Sequence, residues 1–174
     1  MITSKVKLIG NIEECNKHIK RMLIAYTRMI DIIPLNSFSY NSLKDDEITY
    51  IDQFLFRFAL LQDAMGEKLF RNLLINVGEN PKTLTFIDLL NRLDELELLE
   101  KDSWFTLRKF RNITTHEYPD LEEEIIDTLN TLVEKTELIY QIFLKVKEFI
   151  FDRVLTEIDR SNYVTEVLPV RESE

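Results

Sequence analysis

The stretch DDEITYIDQFLFRFALLQDAMGEKLFRNLLINVG, residues 45–78, decides the fold class of this chain. Its apolar side chains recur at steps of three and four residues, which is the spacing of one face of an α-helix. They are Ile51, Phe54, Leu55, Phe58, Leu61, Met65, Leu69, Phe70 and Leu73. Asp45 or Asp46 is a suitable N-cap and Gly78 is a suitable stop. The stretch therefore predicts one helix of about 30 residues, with Gly66 as a point where it can bend.

The same spacing predicts helices on both sides of this stretch. The first covers residues 12–33 and ends at Pro34, the third begins around Thr83 to Thr85, the fourth is capped by Asp102 or Ser103 and stopped by Pro119, and the last runs from Asp120 to about Asp159. Only 3 Gly and 4 Pro occur in the chain, which argues against a many-stranded sheet. The sequence thus predicts an all-α, up-and-down helical bundle of about five helices, with long second and last helices.

Residues 1–160 are expected to form a single helical domain, and residues 161–174 a flexible C-terminal tail. The single Cys15 cannot form an internal disulfide, and the first residues lack the apolar stretch of a signal peptide. No run approaches the ~18 apolar residues of a membrane span. We therefore expect a cytoplasmic protein that does not contact a membrane. No Cys/His spacing resembles a zinc site, so neither a metal nor a cofactor is expected.

The formal net charge of −9 limits what the protein can bind. Broad, non-specific binding to nucleic acid relies on many phosphate contacts from Lys and Arg, and the acidic balance argues against it. An activity on RNA must then come from a small, focused site.

One short motif combines residue types that suit such a site. It is Arg111-Asn112-Ile113-Thr114-Thr115-His116-Glu117-Tyr118-Pro119. Five residues along a helix correspond to a rotation of about 140° and a rise of about 7.5 Å, so Arg111 and His116 flank a shallow groove. Histidine titrates near neutral pH and can move the proton of a ribose 2′-hydroxyl or of a leaving oxygen. Arginine offers paired donors to a phosphate.

From residue types and spacing alone, a second interpretation stays open. An Arg and a His at a helix end can simply cap carbonyl groups and complement the helix dipole. The aromatic set is interpreted as core or dimer interface rather than as a base-stacking platform. It comprises Phe54, Phe58, Phe70, Phe86, Trp104 and Phe110. Gln62-Asp63 is either a polar insertion that faces the site or, as is more common for such a pair, part of the surface.

The string Arg-Asn-x-x-x-His-x-Tyr at the end of a bundle helix resembles the HEPN superfamily. It is most similar to the HepT-like branch, whose signature is Arg-x4-His-x-Tyr, and to the substrate-binding proteins that accompany minimal nucleotidyltransferases. The strict match covers eight residues. The helix order gives looser support, with a long Phe/Arg-bearing helix upstream and a Trp-containing approach to the motif. Greater length and strong acidity are departures from a compact HepT-like protein.

The resemblance implies a ribonuclease toxin that works as a homodimer and is paired with a nucleotidyltransferase antitoxin. Arg111 and His116 would be the catalytic pair of a metal-independent endoribonuclease, and Asn112 would hold or polarise the site. Tyr118 matches the tyrosine that the partner enzyme modifies with AMP in some members. From its place among phenylalanines, Arg57 either points into the cleft and binds phosphate, or it snorkels to the surface or pairs with a carboxylate.

Three hypotheses remain open on the sequence. The first is the ribonuclease toxin. The second is a non-catalytic HEPN subunit that binds a nucleotide or substrate for a minimal nucleotidyltransferase partner. The third is a helical interaction protein in which the motif stabilises a helix end.

Overall fold

The computed structural model describes residues 3–115 and 122–155, with the side chains of residues 113–115 excepted. Within those ranges all regular structure is helical. The elements are α1 (Ser4–Met29), a 3-10 turn (Ile30–Ile32), α2 (Ser37–Asn41), α3 (Asp45–Asp63), a π-helical segment (Ala64–Leu69), α4 (Phe70–Asn76), α5 (Phe86–Glu95), α6 (Lys101–Thr115), α7 (Glu122–Asn130) and α8 (Leu132–Arg153). The prediction of an all-α helical bundle is confirmed.

The long helix predicted for residues 45–78 is present as α3, the π-helical segment and α4 in succession. It ends as expected at Gly78, whose φ is +91°. Glu79 N donates to Leu74 O at 2.9 Å and Gly78 N donates to Ile75 O at 3.2 Å, so the last carbonyl groups of the helix are satisfied. A π-helical segment adds a residue to one turn of an α-helix, and such segments are frequent at functional sites.

Helix α1 lies antiparallel to this long helix, and polar pairs mark the line along which the two pack. We call this line the α1–α3 seam. From one end to the other it contains Ser4 with Asn76, Asn11 with Asn72, Glu14 with Lys68, His18 with Arg57, and the Arg21 carbonyl with Gln53. Beneath these pairs lie the apolar residues of α1, which are buried from Leu8 to Met29. The helix therefore begins well before residue 12, where the prediction placed its start.

The ends of the shorter helices agree with the sequence only in part. Helix α5 begins at Phe86, directly after the predicted start around Thr83 to Thr85, and Thr85 and Asp88 form a capping box there. The predicted cap of the fourth helix at Asp102 or Ser103 is wrong. Helix α6 begins at Lys101, and its first helical hydrogen bond runs from Trp104 N to the carbonyl of Glu100 at 3.2 Å.

The last helix departs from the prediction because it is interrupted. Helix α7 ends at Asn130 and α8 begins at Leu132. The side chain of Asn130 donates to Leu35 O at 2.8 Å and accepts from Leu35 N at 2.6 Å. The loop after the first helix, which also contains the short α2, is thereby attached to the end of α7. The predicted tail, residues 161–174, and the predicted N-cap Asp120 lie outside the described residues.

The core is rich in aromatic side chains, as predicted. Phe58 meets Phe110 edge-on with ring centroids 4.8 Å apart, and Phe70 meets Trp104 in the same way at 4.8 Å. Such edge-to-face pairs add to the free energy gained from burial. These contacts attach α6 to the long helix and fix where the side chains between them can lie. Among the described helices, none has both the length and the apolar character that crossing a bilayer requires.

Candidate functional site

A groove lies between the long helix and α6, and none of the residues that line it belongs to the α1–α3 seam. Its volume is about 400 Å³, which is within the ordinary size range of small-molecule sites. Its lining comprises Gln62, Asp63, Gly66, Glu67, Arg71, Phe86, Trp104, Arg108, Arg111 and Asn112. We call it the α3–α6 groove.

Arg111, the arginine of the sequence motif, lies at this groove and is held from the opposite helix. Its Nη2 donates to Asp63 Oδ2 at 3.0 Å, and its Nη1 donates to Asn112 Oδ1 at 3.4 Å. The exposed fraction of the side chain is 32% for Arg111 and 41% for Asp63. A guanidinium that is partly open to solvent and fixed on one side can still present N–H groups to a ligand. Arg111 and Asn112 both line the groove, and their catalytic role stays a prediction.

Two further arginines line the same groove. Arg71 donates through Nη1 to the Pro81 carbonyl at 3.2 Å, which anchors its side chain against the loop before α5. Arg108 lies with its guanidinium carbon 5.3 Å from the centroid of the Phe86 ring. An arginine over an aromatic face is attracted by the ring quadrupole and loses part of its freedom.

The wall of the groove is made by a close approach of the two helices. Gly66 belongs to the π-helical segment, and a Cβ added to it would lie 3.3 Å from Trp104 Cζ2 and 3.7 Å from Phe86 Cε2. The distance of 3.3 Å is shorter than most Cβ contacts in proteins, so the absence of a side chain lets the π-helical segment pack closely against the indole of α6. Gly66 was expected as a bend, and it acts as a contact point.

The charges at the groove differ from those of the chain as a whole. Among the lining residues, three arginines (Arg71, Arg108, Arg111) face two carboxylates (Asp63, Glu67), which gives 3 − 2 = +1 at full ionisation, against −9 for the whole chain. Guanidinium groups suit phosphate because of their planar paired donors. A small basic site on an acidic protein is the arrangement that the net charge demands of any site for RNA or nucleotides.

The other predicted site residues are His116, Tyr118 and Arg57. His116 and Tyr118 lie outside the described residues. Arg57 is not at the groove. Its Nη1 lies 3.4 Å from His18 Nδ1 in the α1–α3 seam, and its guanidinium carbon lies 5.4 Å from the Phe56 ring centroid.

The position of Arg57 corrects the expectation that it points into the cleft. Its neighbours in the described part of the chain are His18 and Phe56 rather than a carboxylate. Helix geometry gives the reason for its direction. Arg57 precedes Asp63 by six residues, or about 240° of rotation, so the two side chains project from different sides of α3.

Sequence reasoning missed Glu67 and Arg71, although a signal for them exists. Asp63, Glu67 and Arg71 follow one another at steps of four residues, and Trp104, Arg108 and Arg111 do so at steps of four and three. Two charged stripes of helical spacing on neighbouring helices indicate a shared polar groove. Gln62 and Asp63 both line it, so the polar-insertion interpretation of this pair is the one that the structure supports.

Gln62 differs from the other groove residues in its burial. Its relative exposure is 4%, and neither Nε2 nor Oε1 has a hydrogen-bond partner among the described residues. Within residues 3–115 and 122–155, no group of three or more His, Cys, Asp or Glu side chains is placed to hold a metal ion.

Comparisons with known proteins give no family for this chain. It matches no model of a known protein family, no curated protein and no solved structure.

Proposed function

We propose that this chain is a HEPN-type ribonuclease toxin that cleaves RNA without a metal ion, in a site built around Arg111. The observation that carries the proposal is the position of Arg111 in a groove with two more arginines, Arg71 and Arg108, on a chain of net charge −9. Cationic side chains concentrated in one groove of an acidic protein favour a phosphate-bearing ligand. The Arg-x4-His-x-Tyr motif adds the candidate acid–base group.

The chemistry follows from the groups in the motif. The ribose 2′-oxygen attacks phosphorus, the bond from phosphorus to the 5′-oxygen of the next nucleotide breaks, and the products are a 2′,3′-cyclic phosphate and a 5′-hydroxyl. His116 takes the proton of the 2′-hydroxyl or supplies the proton that the leaving oxygen needs. Arg111 stabilises the charge that grows on the phosphate oxygens. The nucleophile belongs to the substrate, so this route needs no metal-bound water.

Asp63 has a defined role in this proposal. It holds the Arg111 guanidinium from one side in the absence of RNA, and a phosphate approaching the groove competes with it for the same donors. Asn112 accepts a weaker hydrogen bond from Arg111 and helps to orient it.

The proposal also includes partners. Two copies of the chain would place two Arg111 and two His116 around one cleft, as in a symmetric homodimer. A minimal nucleotidyltransferase would be the antitoxin, and transfer of AMP to Tyr118 would add charge and bulk beside the RNA groove and block phosphate binding. A gene for a small nucleotidyltransferase with a Gly-Ser and paired-Asp motif next to the gene for this chain would support the pairing.

Expression in a bacterial host tests the activity. The wild-type chain should arrest growth, and His116→Ala and Arg111→Ala should each relieve the arrest. Arg57→Ala is the matched control. It removes an arginine that lies on the long helix but in the α1–α3 seam, outside the groove. The purified protein should cleave single-stranded RNA in the presence of EDTA and leave cyclic phosphate ends. Equal toxicity of wild type and His116→Ala would refute the proposal.

One observation favours a second function. The Arg111 guanidinium already pairs with Asp63, and Glu67 adds a second carboxylate to the groove. Both carboxylates disfavour a polyanion more than a single nucleotide. The second candidate is therefore a non-catalytic HEPN subunit that binds a nucleotide for a nucleotidyltransferase. Saturable nucleotide binding that Arg111→Ala weakens, together with no RNA cleavage, would select it.

A further inference from the structure

Gln62 has an unusual environment for a polar side chain. It is nearly fully buried, yet both polar atoms of its amide lack a hydrogen-bond partner in the part of the chain that the structure describes. Leaving a buried amide unpaired is costly, and native proteins retain few such groups. A glutamine kept under this cost needs a reason that packing does not supply, because Met or Leu would fill the same space without it.

The α3–α6 groove offers a reason for a buried amide at this position, because Gln62 is one of the residues that line it. The last torsion of a glutamine side chain is broad, so a small rotation brings the amide to a ligand in the groove. Asp63 and Arg111 line the same groove and pair with each other there, so the groove contains both Gln62 and the proposed phosphate site.

The chemistry of an amide restricts the ligand. It presents one donor and one acceptor side by side, and it pairs with a group that presents the complementary acceptor and donor. The edge of adenine with N6 and N7 is such a group, whereas guanine presents two acceptors at the corresponding edge. The groove of about 400 Å³ has room for a two-ring base, and the Phe86 ring stands at its wall. Arg71 and Arg108 lie in the same groove for the phosphate of that nucleotide.

We infer that Gln62 is a base-reading residue and that the α3–α6 groove takes an adenine nucleotide, with the amide on the base and the arginines on its phosphate. This inference deepens the proposed function and rests on it, since it names the nucleotide that the RNA-cleaving groove accepts. The ligand chemistry is a purine base with a phosphate, and it can come from a strand of RNA or from a free nucleotide.

Equilibrium binding tests the inference without relying on cleavage. AMP, GMP, CMP and UMP are titrated into the wild-type protein, into Gln62→Met and into Gln53→Met. Gln53 is the matched control, because it lies on α3 but donates to the Arg21 carbonyl in the α1–α3 seam. AMP should bind the wild type most tightly. Gln62→Met should weaken AMP binding roughly tenfold and remove the preference for AMP, and Gln53→Met should leave both unchanged.

Thermal unfolding separates a reading residue from a structural one. Gln62→Met removes an unpaired buried amide and keeps the volume, so its melting temperature should equal or exceed that of the wild type. A lower melting temperature would mean that the amide is satisfied in solution, for example by an ordered water, and would overturn the inference. Equal binding of all four nucleotides, or unchanged AMP binding in Gln62→Met, would overturn it as well.

A second arm separates this inference from the proposed function. Oligo(A) and oligo(U) RNA of equal length are given to the same proteins, and both binding and cleavage are measured. Tighter binding of oligo(A) than of AMP assigns an RNA strand as the source of the base, and the reverse assigns a free nucleotide. AMP binding without any cleavage retains the base-reading role and removes the ribonuclease. Cleavage with no preference between the two RNAs retains the ribonuclease and removes the base-reading role.

Discussion

The long helix uses similar side chains in opposite ways on its two sides. Toward α1, its polar groups meet partners one to one, so that Lys68 pairs with Glu14 and Asn72 with Asn11. Toward α6, the same helix leaves a groove, lined by arginines and by a buried glutamine amide that has no partner among the described residues. A seam that is closed by matched pairs stabilises the fold, whereas a groove with an unmatched polar group is where a ligand can add interactions.

The first prediction compares an arginine in the groove with an arginine in the seam. Arg111→Ala should lower RNA cleavage by roughly a hundredfold or more, because it removes a donor to the phosphate in the transition state. Arg57→Ala should leave cleavage within about twofold of the wild type, because Arg57 faces His18 in the seam. The measurement is the initial rate on a labelled RNA with both proteins shown to be folded by circular dichroism. An equal loss from both variants would contradict the assignment of function to one side.

The second prediction uses two helical glycines. A Cβ added to Gly10 of α1 would meet no atom within 4 Å, so Gly10→Ala should raise the free energy of unfolding by about 0.5–1 kcal/mol. Gly66→Ala should lower it by about 1 kcal/mol, because its Cβ would press on the buried ring of Trp104. Urea unfolding of both variants measures the difference. A stabilised Gly66→Ala would show that the contact with α6 relaxes easily.

The third prediction concerns the carboxylate that competes for Arg111. Asp63→Asn removes its charge, so RNA affinity should rise by roughly two- to fivefold at low salt. Stability should change by less than about 1 kcal/mol, because both side chains of the pair are about a third or more exposed (32% and 41%). Asp52→Asn is the control for the global charge, since Asp52 is exposed on the same helix outside the groove. A rise of the same size in both variants would assign the effect to net charge.

Local signals allowed much of the fold to be predicted from the sequence. The period of apolar residues, the stop at Gly78 and the start of α5 next to Thr85 each depend on residues a few positions apart. The contact of Asn130, at the end of α7, with Leu35 was not predicted because the two residues are 95 positions apart in the chain. No local pattern encodes such a contact.

The site was predicted less completely for the same physical reason. The motif singled out Arg111 and Asn112 from the sequence, and both line the groove. The burial of Gln62 and the pairing of Asp63 depend on how α6 packs against α3, and a Gln-Asp pair is usually found at the surface. The sequence gives the rotation between Arg57 and Asp63 around α3. That rotation shows that Arg57 lies outside the groove only once the face of α3 that meets α6 is known.

The last prediction concerns the pH dependence of stability. The seam contains His18, and its surroundings disfavour the charged form of this histidine. Burial lowers the pKa of His18, and the neighbouring Arg57 guanidinium lowers it further. Among the other charged groups around it, Glu14 acts in the opposite direction, whereas Lys68 and Arg21 act in the same direction as Arg57. The folded state therefore binds a proton at His18 less readily than the unfolded state does.

The sign of the pH effect follows from this difference. Above the ordinary histidine pKa of about 6.5 both states are neutral at His18, and its contribution to stability does not change with pH. As the pH falls below that value the unfolded state takes up the proton first, so stability decreases until the lower pKa of the folded state is passed. His18→Gln should therefore flatten the fall in melting temperature between about pH 7 and pH 5, by an amount smaller than any of the effects above because His18 is only half-buried. Melting curves of both proteins across this range measure it. If the melting temperature of His18→Gln fell with pH as steeply as that of the wild type, protonation of His18 would not oppose folding. The α1–α3 seam would then tolerate an added charge, as the groove does.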